Sequence, residues 1–442
     1  MAFLGTGTMN KLGHLEIGGV DTIEMAKEFG TPLYVYDVAK IRKQAQAFCT
    51  TFQERNVEAK VAYASKAFAS VAMFQLVDEE GLCLDVVSGG ELYTALHAGF
   101  PTEKIHFHGN NKSYEELQMA VHEGVGCIVV DNFHELDLIK QVGQQLNKVT
   151  PVLLRITPGI EAHTHDYILT GQEDSKFGFD IVSKQADQAL HESLSSEHME
   201  VLGVHCHIGS QIFEADGFVM AVQKVFKQLS EWKSSKGFEA EVVNLGGGFG
   251  IAHTSEETSI SIEKVINVLI DEVEKQVDDH DLNMPEIWIE PGRSLVGEAG
   301  TTLYTIGSEK RIPGVRNYVS VDGGMTDNIR PALYQAKYEA VIANRLLQKN
   351  MQTVSIAGRC CESGDMLIHD IQLPKTSQGD ILAMFCTGAY GYAMANNYNR
   401  LPRPAVVFVE NEEAQLVVER ESYKDLIHLD RPLKKTLVST SY

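Results

Sequence analysis

The chain has 442 residues, 44% of them hydrophobic and 22% charged. That length exceeds what one small core needs, so two domains are expected, and the composition is that of an ordinary soluble globular protein. A formal charge of −22 argues against nucleic-acid binding, which requires a concentrated positive surface, and no apolar run reaches the roughly eighteen residues of a membrane span.

Met1 to Asn10 lacks a basic start followed by an apolar core, so no secretory signal is read and a cytoplasmic protein is expected. Seven scattered cysteines with no C-x-x-C pair fit that reading; only Cys360 and Cys361 are adjacent. The first thirty or so residues, with Leu15 to Gly19 and then Thr31 to Tyr36, are suited to supply a strand to a later β domain.

Eight strand-like apolar runs then recur: Val61 to Lys66, Leu82 to Ser88, Ile105 to Asn110, Cys127 to Asp131, Val152 to Thr157, Leu202 to His207, Val242 to Leu245 and Ile287 to Glu290. Amphipathic stretches such as Gly90 to Ala98, Ser113 to His122, Asn132 to Gln141, Gly217 to Trp232 and Ser261 to Asp278 lie between them. Eightfold strand–helix alternation with right-handed crossovers closes into a (β/α)8 barrel of the TIM type; an open doubly wound sheet is the alternative. From about Thr301 the pattern turns to alternating residues, as in Tyr318 to Asp322 and Ala405 to Val409, which predicts an antiparallel β domain. The predicted division is residues 33–300 for the barrel, with 1–32 and 301–442 for the β domain.

The unusual residues gather at strand ends, where a barrel concentrates its chemistry. The first run stops on Lys66, a candidate Schiff-base lysine, although a lone lysine at a strand end more commonly faces solvent. Ser88-Gly89-Gly90, His108-Gly109-Asn110 and Arg155 end the next runs. The long polar segment from Glu161 to Gly178 reads as a lid or substrate loop. His205 and His207, two apart, share a face. They suggest zinc only if His163, His165 or Asp166 supplies a third ligand, and no H-E-x-x-H or cysteine set supports a metal. The strand Val243 to Leu245 runs into Gly246-Gly247-Gly248-Phe249-Gly250, where glycines let backbone N–H groups approach an anion, so a phosphate is the expected guest. Ile251 stands where a dinucleotide fingerprint needs glycine, and no Gly-Lys-Ser/Thr follows for a P-loop. Glu290 and Arg293 end the last strand. They either pair with each other or, given a pyridine ring in the mouth, Glu290 holds the ring nitrogen protonated.

Tyr63-Ala64-Ser65-Lys66-Ala67, His-x-His-Ile-Gly-Ser, Gly-Gly-Gly, Glu-Pro-Gly-Arg, Cys361-Glu362-Ser363-Gly364-Asp365 and Gly388-Ala389-Tyr390 stand in one order along nearly the whole chain. Together they resemble the alanine-racemase-type, fold-type III pyridoxal-phosphate decarboxylases. The resemblance implies that Lys66 holds pyridoxal 5'-phosphate as a Schiff base, that His207 stacks on its ring, and that Glu290 meets the pyridine nitrogen. It assigns the phosphate and its surroundings to Ser210, Gly246, Gly247, Gly248, Gly292, Arg293 and Tyr390. It further implies that Arg293, Arg330, Tyr334, Glu362 and Tyr390 read the substrate, that Cys361 protonates the product carbanion, and that Cys361 and Glu362 reach the site from the partner of a homodimer. The implied reaction is decarboxylation of meso-2,6-diaminopimelate at its D-centre to L-lysine. Ornithine, arginine or carboxynorspermidine decarboxylation and a non-catalytic cofactor carrier are the alternatives. By their own local pattern Cys361 and Arg330 read only as a cysteine beside a surface acid and a turn residue before Pro331.

Overall fold

The structure, a computed structural model, describes residues 5–159 and 175–433. Eight parallel strands form its centre: Ala59–Ala64, Cys83–Val86, Ile105–Phe107, Cys127–Val130, Thr150–Thr157, Met199–His205, Val242–Asn244 and Glu286–Ile289. Each pairs with the next, and the ring closes because Ile287 to Ile289 of the last strand pair with Ala59 to Val61 of the first. All eight runs expected from the sequence are therefore staves of one (β/α)8 barrel, and the open sheet is excluded.

Short polar side chains start the surrounding helices. Ser88 accepts from the Glu91 N–H, Asn132 from Glu135 and Ser261 from Lys264, while Ser113 and Glu116 form a reciprocal capping box. The eighth helical place is taken by Val38–Glu54, which precedes the first barrel strand. Arg55 at its end is tied to Asp271 at 2.8 Å and Glu274 at 3.0 Å on helix Ile262–His280.

The second sheet is mixed rather than antiparallel throughout. Gly300–Ile312 pairs antiparallel with Arg316–Val321, Ile381–Phe385 and Leu33–Asp37. Two pairings are parallel, Arg316–Val321 with Met351–Ala357 and Ala405–Glu410 with Leu33–Asp37. The reason is topological: strands far apart in the chain meet without a hairpin to reverse them. Leu33–Asp37 is thus hydrogen-bonded into this sheet, and Val38–Glu54 leads from it to the barrel. Leu15–Ile17 lies in a separate three-stranded sheet with Thr8–Met9 and Val20–Asp21.

Ala405–Glu410 shows why alternation alone understates burial. Ala405, Val407 and Val409 pack with Leu15, Ile17 and Leu33, while Val406 and Phe408 join the barrel core beside Tyr36. Covered on both faces, this strand welds the two units. Tyr36 stacks on Phe68 at 4.5 Å, just past the first barrel strand, and its hydroxyl donates to Gly388 O at 2.7 Å.

Candidate active site

The carboxyl ends of the barrel strands enclose a cavity of ≈ 370 Å³ lined by Lys66, Asp85, His108, Arg155, His205, His207, Ser210, Gly248, Glu290, Gly292, Arg293 and Tyr390, among others. Lys66 sits on a single 3-10 turn, Ser65–Ala67, directly after the first strand. Glu290 follows the last. Barrel closure makes those two strands neighbours, so residues at the two ends of the repeat open onto one space.

Glu290 is 7% exposed. Its Oε1 accepts from Asn244 Nδ2 at 2.6 Å and lies 2.9 Å from His108 Nε2, while its Oε2 lies 3.1 Å from His205 Nε2. Burial alone would raise its pKa, but His108 and His205 hold the carboxyl well below the usual carboxylate range. Burial pushes His205 down to about 4 despite Glu290, so at neutral pH the ring is neutral and donates through Nε2. A buried anion with neutral His205 at one oxygen is suited to a cationic N–H from a ligand.

His207 stands just beyond the strand end, on the cavity side with His205. Burial, with Lys66 and Arg155 nearby, holds it well below its ordinary pKa. Its Nδ1 accepts the Gly247 N–H at 3.1 Å, which leaves the hydrogen of the neutral ring on Nε2. The glycine turn has its own steric logic. Gly246 has φ +70° and Gly248 φ +102°; a Cβ on Gly248 would stand 2.3 Å from Gly209 O. Gly246 is fixed by Asn244 Oδ1, which accepts its N–H at 2.9 Å.

Arg293 does not pair with Glu290. Its Nη2 donates to Ser210 Oγ at 3.3 Å, its guanidinium lies 4.7 Å from the Tyr390 ring, and its Nε and Nη1 are buried without partners among the described residues. Burial, followed by the neighbouring Arg330, lowers its pKa. Two guanidiniums at one rim, with orphaned N–H groups, suit an anion. Arg330 lies 5.5 Å from the Tyr390 ring and 5.2 Å from that of Tyr334. Tyr390 in turn donates its backbone N–H to Ala67 O at 2.8 Å, tying the rim to the Lys66 turn.

Gly246 and Gly247 lie behind the cavity wall: a Cβ on Gly247 would stand 2.1 Å from Glu290 O. Arg330, Tyr334, Cys361 and Glu362 are not among the groups lining the cavity. Cys361 is exposed, its N–H bonded to Asn399 Oδ1 at 3.1 Å, and Glu362 is bonded to the Tyr398 hydroxyl. The third zinc ligands considered, His163, His165 and Asp166, lie outside the described residues, as does most of the Glu161 to Gly178 segment. Among the described residues, His108, His205 and Glu290 bring ligand atoms within 4.8 Å of one another, but these atoms already face each other as His–carboxylate pairs.

Sequence reasoning missed Asp85, and gave Asn244 and Arg155 no role. Burial pushes Asp85 up to about 6, with Glu290 adding to the rise against His108. The available signal was a carboxylate inside the apolar run Cys83–Val86. Arg155, lowered by burial, lies 3.7 Å from Asp131 and 4.3 Å from the Phe177 ring.

An amine, an ionised buried carboxylate, a neutral imidazole and an anion-ready rim of glycine and arginine fit a pyridoxal phosphate: aldehyde, ring nitrogen, ring face and phosphate each have a matching group. The comparisons agree. Residues 38–297 match the family model described as pyridoxal-dependent decarboxylase, pyridoxal binding domain, which makes pyridoxal phosphate the cofactor of this barrel. The diaminopimelate decarboxylase of Bacillus methanolicus is 67% identical over 95% of this chain and 98% of its own. That of Bacillus subtilis is 63% identical over 97% and 98%. The crystal structure of diaminopimelate decarboxylase from M. jannaschii in co-complex with L-lysine superposes with a TM-score of 0.92 at 38% identity, covering 98% of this chain and 99% of that one. The chain belongs to the diaminopimelate decarboxylases, which are carboxy-lyases.

Proposed function

We propose that the protein releases CO2 from the D-centre of meso-2,6-diaminopimelate and yields L-lysine, as a cytoplasmic homodimer with shared active sites. The observation that carries this is the single cavity onto which both Lys66 and Glu290 open. Bound pyridoxal phosphate supplies an aldehyde for an amine and a conjugated ring that accepts the electron pair left when a Cα–carboxylate bond breaks.

The chain's own groups do the rest. Lys66 Nζ is the amine that would hold the cofactor through its aldehyde carbon and give way to the substrate amine. Glu290 stays anionic in the working range and so keeps a proton on the ring nitrogen. His207, neutral and anchored at Nδ1, offers a flat face that neither titrates nor swings. Ser210, Gly248, Gly292, Arg293 and Tyr390 would hold the phosphate, while Gly246 and Gly247, their N–H groups taken by Asn244 and His207, shape the turn behind it. Arg293, Arg330, Tyr334 and Tyr390, with Glu362, read the substrate's carboxylates and distal amine. Cys361 delivers the proton that replaces CO2 at Cα.

Cys361 and Glu362 lie outside the cavity of their own chain, which supports their service to a second copy. A cytoplasmic setting is supported by cysteines that are all free, while no described helix is long and apolar enough to cross a membrane. CO2 release from diaminopimelate, ornithine and arginine, assayed side by side with added cofactor, tests the reading. Turnover of diaminopimelate alone is expected. Preference for ornithine or arginine would assign the protein to a related decarboxylase, and no turnover of any would leave a carrier.

A further inference from the structure

Asp365 is 3% exposed and wedged between two loops that the barrel does not supply. Its Oδ1 accepts the Met325 N–H at 2.6 Å and its Oδ2 the Cys360 N–H at 2.7 Å. Two glycines make room for this carboxylate. A Cβ on Gly358 would stand 2.2 Å from both oxygens, and one on Gly324 2.5 Å from Oδ1. The backbone of Asp365 closes the same turn, its N–H donating to Glu362 O at 3.1 Å and its carbonyl accepting the Gly358 N–H at 2.9 Å.

One carboxylate therefore joins two segments of different destination. The first runs from Gly324 to Arg330 and delivers a buried guanidinium to the rim of its own cavity, beside Tyr390. The second is the Cys360 to Asp365 turn, which holds Cys361 on the outside, away from that cavity. Both N–H bonds to this carboxyl group are short, so both loops inherit their placement from the same side chain.

We infer that Asp365 is a positioning residue acting on two sites at once: it sets the Cys361–Glu362 turn for the partner's cavity and tethers the Arg330 loop at its own. The inference rests on the shared-site dimer proposed above. Replacing Asp365 by Asn keeps the volume but turns an NH2 group toward an N–H donor, so one of the two clamps is lost. The D365N homodimer is expected to lose kcat on the order of 10²-fold, the scale of a reacting group displaced by about 1 Å, and to show a raised KM.

The decisive test mixes subunits. Equal amounts of K66A and D365N, each nearly inactive alone, are dissociated and reassociated. Half the dimers are then hybrids, and each hybrid has one cavity with Lys66 from one chain and an intact Cys361 turn from the other. About a quarter of the wild-type kcat should return. Because Arg330 in that cavity belongs to the D365N chain, KM should stay raised. A control mixture of K66A with C361A reports on the dimer itself. No recovery there overturns the shared-site reading and this inference with it. Recovery there but none with D365N, for whatever cause including unfolding, overturns the inference alone. A KM that returns to the wild-type value would remove the tether to Arg330.

Discussion

Asp85 and Glu290 are two carboxylates at one barrel mouth, and their surroundings push them in opposite directions. Glu290 has Asn244 and two histidines at its oxygens and stays ionised. Among the described residues Asp85 Oδ1 has no hydrogen-bond partner, and the His108 ring comes no nearer than 3.8 Å, so burial prevails and its pKa rises to about 6. An acid raised in the folded state binds its proton more tightly there than in the unfolded chain, so its contribution is full below about pH 4 and lost as pH rises through about 6. Asp85→Asn should therefore flatten the fall in stability between those values, measured by denaturant unfolding across pH. It should also remove a limb near pH 6 from the kcat/KM profile. The need for a carboxylate at 290 was readable from the residue type at a strand end. Its ionisation was not, because His108 and His205 reach it only through the closed barrel.

At the scale of elements, the glycine turn and the third and fourth barrel strands carry the mouth. Gly248→Ala would place a Cβ 2.3 Å from Gly209 O at φ +102°. A stability loss of about 1–3 kcal/mol is expected, together with weaker cofactor binding, measured by thermal melting and by cofactor titration. Lys112 is the other support. Its Nζ donates to Gly109 O and Val129 O, both at 2.8 Å, and to Glu135 Oε1 at 2.5 Å, all but buried. Lys112→Ala would strand the Glu135 carboxylate in the interior, and a loss of about 3–5 kcal/mol is expected by denaturant unfolding. Strands and most helices were legible because their apolar periods and caps are local. Val38–Glu54 was not anticipated, although its buried Val38, Ile41, Ala45, Phe48 and Phe52 follow helical spacing. It stands before the first strand, and the expectation was of helices that follow strands.

For the whole molecule, folding and cofactor binding should be coupled, since the orphaned groups of Arg293 and the buried Glu290 lie among the loops that close the barrel. Pyridoxal phosphate at a hundredfold excess over its Kd should stabilise the wild-type protein by about 3 kcal/mol, seen as a raised Tm. Lys66→Ala should show a much smaller rise at the same concentration and no absorbance from a cofactor–lysine bond.

The chain by itself determined the eight-strand period, the residues that end each strand and the turn to a β domain near Thr301, because alternation and turn chemistry act over a few neighbours. It also set the candidate lysine, carboxylate and glycine turn. Only the tertiary structure decided which partners Leu33–Asp37 takes in the second sheet, Gly300–Ile312 on one side and Ala405–Glu410 on the other, and that Asp85 joins the cavity. The same holds for Arg293, which turns to Ser210 rather than to Glu290. These outcomes depend on distances through space and on burial, and neither is encoded in the spacing of residues along the chain.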